Sequence, residues 1–358
     1  MGLLKKILGI FGTKTKRYDF HKIDSLLGPW TPYEGKQCLK GTKIPSKIFL
    51  PDAVKEWEEF AGETPISTAL FPYWLRISPR TVGFLIREIA SGKMYSHKTI
   101  PREGKAPHEI SMPAPALKGV QRKILKRILE QVEVNSAAHG FVRGKSTFSS
   151  ASPHTGKRVV LKFDLRDFFP SITLKRVFGM FKSLGFDKKR SWQLAALCCH
   201  NGKLPQGAPT SPMISNIICR KLDSRLSALM TKKGYSYSRY ADDLTFSGDE
   251  KIIRMIKPIK EIISSEGFSI AEEKSKIMRS GARQSLLGLN VNNKVAVPRK
   301  KRRILRAMIH QFGSSKKQTE KKPASMSEIM GNLAYIKPAH PEQHAALLRQ
   351  FKNYMQQI

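Results

Sequence analysis

The sequence is poor in acidic residues. Asp and Glu number 28 against 64 Lys and Arg, which gives a formal net charge of +36 over 358 residues. A surplus of this size excludes a charge-balanced surface and predicts a polyanionic partner. Nucleic acid fits best, because neutralised phosphates release counterions and binding becomes strong. An acidic membrane surface would also attract such a chain, but we predict no membrane partner.

Cysteine and long apolar runs are also scarce. The chain has four cysteines, and Cys198, Cys199 and His200 lie too close together for the CxxC spacing of a zinc site. This scarcity predicts a reducing, cytoplasmic location. No apolar run approaches the ~20 residues of a membrane-spanning helix. The first residues, MGLLKKILGIFGTKTKR, lack a signal-peptide pattern, and we interpret them as a basic amphipathic arm.

Helical and strand patterns alternate along the chain. Residues 1–100 show no catalytic motif, and Trp30, Trp57 and Trp74 are predicted packing anchors. Beyond Pro115 the order is helix, strand, helix, helix, hairpin, helix, hairpin and a helical tail. One long amphipathic helix is predicted from Ile214 to Leu229. This order predicts an α+β fold with an antiparallel sheet.

The second hairpin and the tail differ sharply in composition. Ser285 to Pro298 is predicted to form a hairpin that turns at Asn292-Asn293. From Lys294 to Lys322 there are eleven Lys and Arg against one acid, Glu320. The shift predicts a domain boundary near Pro298.

Three aspartates lie at predicted strand ends. Asp164 ends the apolar strand Arg158–Leu165, and Asp242 and Asp243 lie in the hairpin Tyr235–Gly248. A carboxylate beside an apolar strand needs a salt bridge or a cation to offset its desolvation, and Mg²⁺ prefers such oxygen ligands. If the strand and hairpin pair, the three converge as a two-metal site for phosphoryl transfer requires. Because adjacent strand residues point to opposite faces, Asp242 is the firmer ligand and Asp243 depends on the turn. Taken alone, the Asp-Asp pair also fits a solvated turn.

Three segments carry a family resemblance. FDLRDFFPSI, LPQGAPTSP and YADD resemble, in this order, motifs A, B and C of reverse transcriptases, and the bacterial retron enzymes are the most similar subgroup. The resemblance implies a right-hand polymerase with an N-terminal extension and part of the fingers in 1–100, fingers and palm in 101–298, and a basic helical thumb in 299–358. Two retron signatures depart from the usual form: Ser150 stands for asparagine in Asn-Ala-x-x-His, and Leu286-Leu287-Gly288 stands for Val-Thr-Gly.

The resemblance also implies catalytic roles. Asp164 and Asp242 would bind two Mg²⁺ ions, with Mn²⁺ as an alternative, and Asp243 would assist. Lys274 would donate a proton to the leaving pyrophosphate, although an exposed lysine at a helix end explains it equally well. Phe169 matches the gate that excludes a ribose 2′-OH.

Further positions match nucleotide and nucleic-acid contacts of the family. Gln206 and Gly207 would lie against the incoming nucleotide and template. Arg143 and Lys145 would hold the triphosphate, or make generic phosphate contacts. Leu286–Leu289 would form the primer grip, unless it is an ordinary core hairpin. The remaining predicted nucleic-acid contacts are His154, Arg299, Lys300, Lys301, Arg302 and Arg303. Five consecutive cations on a helix point all round it, so only some can face one duplex.

The implied function is an RNA-directed DNA polymerase. It would use dNTPs to copy a structured noncoding RNA into DNA, primed by a 2′-OH of that RNA, and produce a branched RNA–DNA hybrid. The retron resemblance further implies antiphage defence with a separate effector protein. The alternatives are a group II intron-like, CRISPR-associated or abortive-infection reverse transcriptase, and a non-catalytic RNA-binding protein on the same fold.

Overall fold

The computed structural model describes residues 79–102, 105–314 and 324–356, together with Leu75 and Ile77. The predicted N-terminal arm and the anchors Trp30, Trp57 and Trp74 lie outside these residues. The chain forms two compact units. The first contains the described residues up to Asn135 and Asp167–Arg220; the second contains Ser136–Arg166 and the described residues from Lys221 onward.

Twelve helices and eight strands follow one another along the described residues. They are α1 (Pro79–Ala90), β1 (Tyr95–Arg102), β2 (Lys105–Pro113), α2 (Pro115–Arg127), α3 (Thr147–Ala151), β3 (Val159–Asp164), α4 (Phe168–Ser171), α5 (Leu174–Ser183), α6 (Lys188–Cys198), α7 (Ser211–Ile218), α8 (Arg220–Lys232), β4 (Ser236–Tyr240), β5 (Asp243–Gly248), α9 (Ile256–Ser265), β6 (Lys276–Arg279), β7 (Ser285–Leu286), β8 (Leu289–Asn290), α10 (Arg299–Ser314), α11 (Met326–Ile336) and α12 (Pro341–Gln356). Short 3₁₀ helices cover Leu129–Gln131, Ser152–His154, Glu250–Met255 and Glu272–Lys274.

The first unit joins the antiparallel hairpin β1–β2 to a set of helices. Helix α2 buries Leu117 and Ile124, as its apolar spacing predicts. Buried Gln121 ties three elements together, since its Nε2 donates to the Tyr95 hydroxyl at 2.8 Å and to the Leu197 carbonyl at 2.9 Å.

The second unit contains a four-stranded sheet in the order β4-β5-β3-β6, and every neighbouring pair is antiparallel. The central strand β3 is almost wholly buried, because its sequence VVLKFD presents apolar residues on both faces. The predicted α+β fold with an antiparallel sheet is therefore confirmed. The register sets Asp164 opposite Asp243 and so brings the motif A strand beside the YADD hairpin.

The predicted long helix 214–229 is wrong in one respect. The structure has two helices, α7 and α8, separated at Cys219. The ψ of Cys219 is −2°, far from the α-helical value of about −42°. The apolar spacing continues across this break, so periodicity alone could not reveal it.

The predicted hairpin turn at Asn292-Asn293 is only the second of two reversals. The first lies between β7 and β8, where Leu287 and Gly288 have φ of +50° and +79°. Positive φ at both central residues is the type I′ pattern that suits a two-residue hairpin. Asn290 then pairs with Ala296, which closes the reversal around Asn292.

Helices α10, α11 and α12 share one hydrophobic core with the β7–β8 hairpin. Leu305 and Phe351 from the helices are buried in the same cluster as Leu286, Leu289 and Val297. This core includes residues on both sides of Pro298, so the proposed boundary there stays a prediction. Within the described ranges, no helix is both long and apolar enough to cross a membrane.

Candidate active site

Three carboxylates meet at one end of the four-stranded sheet. Asp164 is the last residue of β3, Asp243 is the first residue of β5, and the two are register partners. Asp242 lies in the preceding turn, where the Leu165 N–H donates to its carbonyl at 2.9 Å. Ala241, also in this turn, has a φ of +56°, which directs the chain out of the strand pattern. The turn therefore interrupts, just before Asp242, the alternation of side chains between the two faces of the sheet. Asp243 already belongs to strand β5.

The carboxylates repel one another. Burial raises the pKa of Asp242, and the charges of Asp243 and Asp164 raise it further. Burial also raises the pKa of Asp243, although the nearby Lys162 ammonium opposes this. Like charges held together in a partly buried place are typical of a site that binds cations.

Two lysines partly offset this repulsion. Lys162 Nζ lies 2.8 Å from Asp243 Oδ1, and Lys274 Nζ lies 2.7 Å from Asp164 Oδ1. Hydrogen bonding to Asp164 raises the pKa of Lys274. The structure thus brings Lys274 to the carboxylates, and its role as a proton donor stays a prediction. Lys162 was missed, although its position two residues before Asp164 on one strand was a usable signal.

The oxygens of the three carboxylates are suitable ligands for a divalent cation. Carboxylate oxygens are the ligands that Mg²⁺ prefers. Asp243 Oδ1 is buried, and its 2.8 Å contact with the Lys162 ammonium is not a well-directed hydrogen bond, so a bound cation would compete with this lysine for the oxygen. In the described ranges, no three His, Cys, Asp or Glu side chains are already grouped tightly enough to hold a metal. Lys162 and Lys274 contact these carboxylates instead.

A buried ion pair supports the turn that carries Asp242. Arg239 Nε and Nη2 donate to Asp223 Oδ1 and Oδ2 at 2.8 and 2.7 Å, and both side chains are 0% exposed. Tyr237 donates its hydroxyl proton to Asp223 Oδ1 at 2.8 Å. Arg239 Nη1 donates to the Ala241 carbonyl at 3.2 Å, which connects the pair to the turn itself. No sequence pattern pointed to this pairing between α8 and β4.

The segment before α3 lies directly against the same turn. Arg239 exchanges backbone hydrogen bonds with it: its N–H donates to Ala137 at 2.8 Å, and its carbonyl accepts from His139 at 2.7 Å. A Cβ on Gly140 would stand 2.5 Å from the Ala241 nitrogen. Glycine is therefore required at residue 140 by the close approach of two backbones.

The predicted triphosphate residues lie just beyond this contact. Lys145 Nζ donates to the carbonyls of Ala138, at 2.8 Å, and of Ser136, and burial lowers its pKa. Its charge thus holds the loop together. Arg143 is exposed, and the triphosphate role stays a prediction for both.

The predicted gate and motif B residues belong to the first unit. Phe169 lies in α4, half-buried, with its ring centroid 5.3 Å from that of Phe168. The Gln206 carbonyl accepts from the Ser111 N–H at 2.8 Å. Gly207 has a φ of +122°, and a Cβ there would be 2.7 Å from Ile110 Cγ2. Packing against β2 thus gives Gly207 a structural reason to be glycine; the nucleotide contacts stay predictions.

The prediction that His154 contacts nucleic acid is wrong. Its side chain is fully buried, with Nδ1 2.7 Å from Ser247 Oγ and Nε2 2.8 Å from Ser238 Oγ. Burial lowers its pKa to about 3. Ser150, the departure from the retron signature, lies in the same cluster with its Oγ 3.1 Å from Ser238 Oγ. A sequence pattern shows a polar residue here but not the face on which it lies.

The five consecutive cations of α10 divide into two groups. Lys301 lies over the Tyr335 ring at 5.3 Å, and Arg302 donates to the Val297 carbonyl at 3.1 Å and to Gln343 Oε1 at 2.8 Å. Arg299, Lys300 and Arg303 are exposed, as is Lys301 itself. That only some of the five can face one duplex stays a prediction. In the proposed primer grip, Leu286 and Leu289 are buried core residues.

Comparisons with known proteins agree on one family. The family described as reverse transcriptase (RNA-dependent DNA polymerase) matches residues 100–317. The retron Mx65 reverse transcriptase of Myxococcus xanthus is 37% identical over 71% of this chain and 63% of its own length. The retron Mx162 reverse transcriptase of the same organism is 37% identical over 74% and 61%. This chain therefore spans less than two thirds of the length of these two relatives.

A third relative is covered more completely. The retron Ec86 reverse transcriptase of Escherichia coli is 34% identical over 76% of this chain and 84% of its own length. Among solved structures, telomerase from Candida albicans in complex with a fragment of telomeric RNA aligns with a TM-score of 0.45 and 10% identity, over 71% of this chain and 56% of that one.

Proposed function

Because this chain belongs to the reverse transcriptase family and is similar to its retron members, we propose that it is an RNA-directed DNA polymerase. The observation that carries the proposal is the register of β3 with β5, which sets Asp164 opposite Asp243 with Asp242 in the adjoining turn. Three carboxylates at one sheet end are the ligand set that two-metal phosphoryl transfer requires.

The proposed roles follow from these positions. Asp164 and Asp242 hold Mg²⁺, or Mn²⁺ in its place, and Asp243 assists. Bound metal supplies charge stabilisation to the attacking and leaving oxygens of nucleotidyl transfer. Lys274 is half-exposed and already hydrogen-bonded beside Asp164, so it is placed to donate a proton to departing pyrophosphate.

The other roles rest on motif identity. We assign Phe169 to the gate against ribonucleotides, Gln206 and Gly207 to the nucleotide and template, and Arg143 to the triphosphate. Exchange of Phe169 for alanine should admit ribonucleotides during extension, because it removes the ring that fills the space of a 2′-OH. An unchanged preference for dNTPs would contradict the gate assignment alone.

The biological setting is a finer proposal. We infer that the template is a structured noncoding RNA, that a 2′-OH of this RNA primes synthesis, and that the product is a branched RNA–DNA hybrid. The retron relatives and the charge of +36 support it. A cytoplasmic location, a separate effector protein and a role in antiphage defence belong to the same proposal, as does the division into fingers, palm and thumb.

A primer-extension assay tests the polymerase proposal. Purified protein should extend a DNA primer on an RNA template with Mg²⁺ and dNTPs, and Asp242→Asn should abolish extension. Asp249→Asn is the matched control, because Asp249 caps the 3₁₀ helix after β5 and lies outside the carboxylate site. Equal extension by wild type and Asp242→Asn would contradict the catalytic assignment.

Copurifying nucleic acid tests the finer proposal. A short RNA–DNA hybrid of defined sequence that a 2′–5′ debranching enzyme separates is the expected result. Random cellular RNA would contradict the self-primed setting and leave the polymerase proposal standing.

A further inference from the structure

Arg239 is a charged side chain buried inside the second unit. It is 0% exposed, and so is its partner Asp223. Moving a guanidinium and a carboxylate out of water costs free energy that their attraction only partly returns, and apolar residues of similar volume often stabilise a protein equally well or better. Stability alone therefore does not account for this ion pair, and its contacts with the rest of the second unit have to explain it.

The guanidinium of Arg239 has two kinds of partner. Nε and Nη2 donate to the two carboxylate oxygens of Asp223 at 2.8 and 2.7 Å, whereas Nη1 donates to the carbonyl of Ala241 at 3.2 Å. Because the guanidinium is planar and rigid, its bidentate contact with Asp223 also fixes the direction in which Nη1 points. Asp223 therefore orients Arg239, and Arg239 in turn holds the Ala241 carbonyl.

The Ala241 carbonyl is one of two carbonyls that define the backbone at Asp242. It belongs to the peptide plane before the Asp242 Cα. The carbonyl of Asp242 itself belongs to the plane after that Cα, and it accepts from the Leu165 N–H at 2.9 Å. Since peptide units are planar, the orientations of these two planes set φ and ψ of Asp242 and hence the direction of its Cβ. A hydrogen bond on each side thus fixes the direction in which the Asp242 side chain leaves the turn.

The backbone of Ala241 depends on such support. Its φ of +56° lies in the left-handed region, which is unfavourable for a residue with a Cβ. Strain of this kind persists where surrounding contacts hold the chain, and it is common at functional sites. Without the hydrogen bond from Arg239, rotation at Ala241 toward negative φ would also turn the peptide plane that precedes Asp242.

We propose that Arg239, oriented by Asp223, is a positioning residue for Asp242. It holds the turn in the conformation from which the Asp242 carboxylate joins Asp164 in binding Mg²⁺. The inference rests on the proposed polymerase function and adds to it two residues that contact neither the metal nor the substrate. Loss of a contact that orients a metal ligand lowers metal affinity or activity by about tenfold to a hundredfold.

The test separates positioning from stability in the full chain. Asp223→Leu combined with Arg239→Met leaves no unpaired charge in the interior, so the double variant should fold. In primer extension, we expect its kcat to fall by about tenfold to a hundredfold. The KM for dNTPs should hold, because the residues proposed to contact the nucleotide are unchanged. The Kd for Mg²⁺, measured by calorimetry without nucleotide, should rise by a similar factor as the kcat falls.

Tyr237→Phe is the matched control within the same buried network. It removes the hydrogen bond from the tyrosine hydroxyl to Asp223 Oδ1 but leaves the contact between Arg239 and Ala241 in place. We expect a slightly lower melting temperature, with kcat and the Kd for Mg²⁺ at their wild-type values. A fall in kcat as large as that of the double variant would overturn the proposal, because any damage to the network would then have the same effect.

Arg239→Lys decides the question if the double variant does not fold. It keeps a cation beside Asp223 but lacks the planar fork that also reaches the Ala241 carbonyl. Its kcat and Mg²⁺ affinity should therefore fall while the charge pair remains. A wild-type kcat or a wild-type Mg²⁺ affinity in either folded variant would overturn the proposal and leave the ion pair a purely stabilising role. A wild type that does not extend primers would instead overturn the polymerase proposal, and the Mg²⁺ titration would still test the positioning.

Discussion

The four-stranded sheet carries two polar clusters of opposite character. The carboxylate cluster, Asp164, Asp242 and Asp243, lies at the strand ends, where burial and then like charges raise the pKa values of Asp242 and Asp243. The imidazole cluster lies in the interior and contains His154, Ser150, Ser238 and Ser247. Both ring nitrogens of His154 have hydroxyl partners, and burial keeps the ring neutral. A polar cluster that only stabilises the fold contains neutral groups whose hydrogen-bonding atoms have partners. A cation site instead holds like charges close together, and a bound cation relieves their repulsion.

The sharpest way to break this comparison is Asp242→Asn. We expect kcat to fall by about 10³-fold or more, because a proposed metal ligand is lost. We also expect the free energy of unfolding without divalent ions to rise by roughly 0.5–2 kcal/mol, because like-charge repulsion is removed. Primer extension and thermal unfolding in EDTA measure the two effects. A variant that is both inactive and less stable would refute the view that the cluster stores repulsion.

The buried pair Asp223–Arg239 shows what a charge inside this sheet requires. Arg239→Met should cost about 3–5 kcal/mol in unfolding free energy, because it leaves the Asp223 carboxylate buried without its cation. Denaturant titration measures this. Glu272→Gln, which breaks the exposed ion pair to Lys260, is the control and should cost less than about 1 kcal/mol.

A double variant separates charge from packing. Asp223→Leu combined with Arg239→Met should recover much of the loss, because no charge remains buried. Part of the cost will persist, since the Tyr237 hydroxyl loses its acceptor. If the double variant is as unstable as Arg239→Met alone, packing rather than charge governs this site.

The two clusters should respond to pH with opposite sign. His154 has a pKa of about 3 in the folded state against an ordinary value of 6.5. Below pH 6.5 the unfolded chain therefore binds a proton that the folded chain does not, and stability is lost by up to about 1.4 kcal/mol per pH unit down to about pH 3. The raised pKa of Asp242 acts the other way, because the folded state takes up its proton first and gains stability on acidification.

Unfolding measured between pH 7 and pH 4 checks both signs. His154→Gln should flatten the loss of stability on acidification, because glutamine does not titrate. Asp242→Asn should steepen it, because a compensating proton uptake is removed. An unchanged slope for His154→Gln would show that other groups, such as His139 with its pKa lowered to about 4, dominate.

Sequence patterns predicted the parts of this molecule that depend on local order. Strand β3, the YADD hairpin and the Asp164 pairing follow from apolar runs and motif order. The Asp223–Arg239 pair does not, because it joins a helix to a strand across the packed interior, where no short-range pattern specifies the contact. His154 was misassigned because its signature records a polar side chain and not the face it occupies. The Leu287-Gly288 turn was missed because leucine rarely adopts positive φ.

The smallest expected effect lies in the lysines that balance the carboxylate cluster. Lys162 is about three-quarters buried against Asp243, whereas Lys274 is 55% exposed at Asp164. An exposed ion pair is screened by water and contributes little, so Lys274→Met should change unfolding free energy by less than about 1 kcal/mol. Lys162→Met should lower the free energy of unfolding more than Lys274→Met, because Asp243 loses its partner in a less solvent-exposed environment. If Asp243 helps to hold Mg²⁺ as proposed, Lys162 competes with the ion for this carboxylate, and removal of the lysine should tighten Mg²⁺ binding by roughly threefold to tenfold. Calorimetric titration of Mg²⁺ without nucleotide measures that affinity independently of turnover. Weaker Mg²⁺ binding in Lys162→Met would show that the lysine orients Asp243 for the metal and does not compete with it.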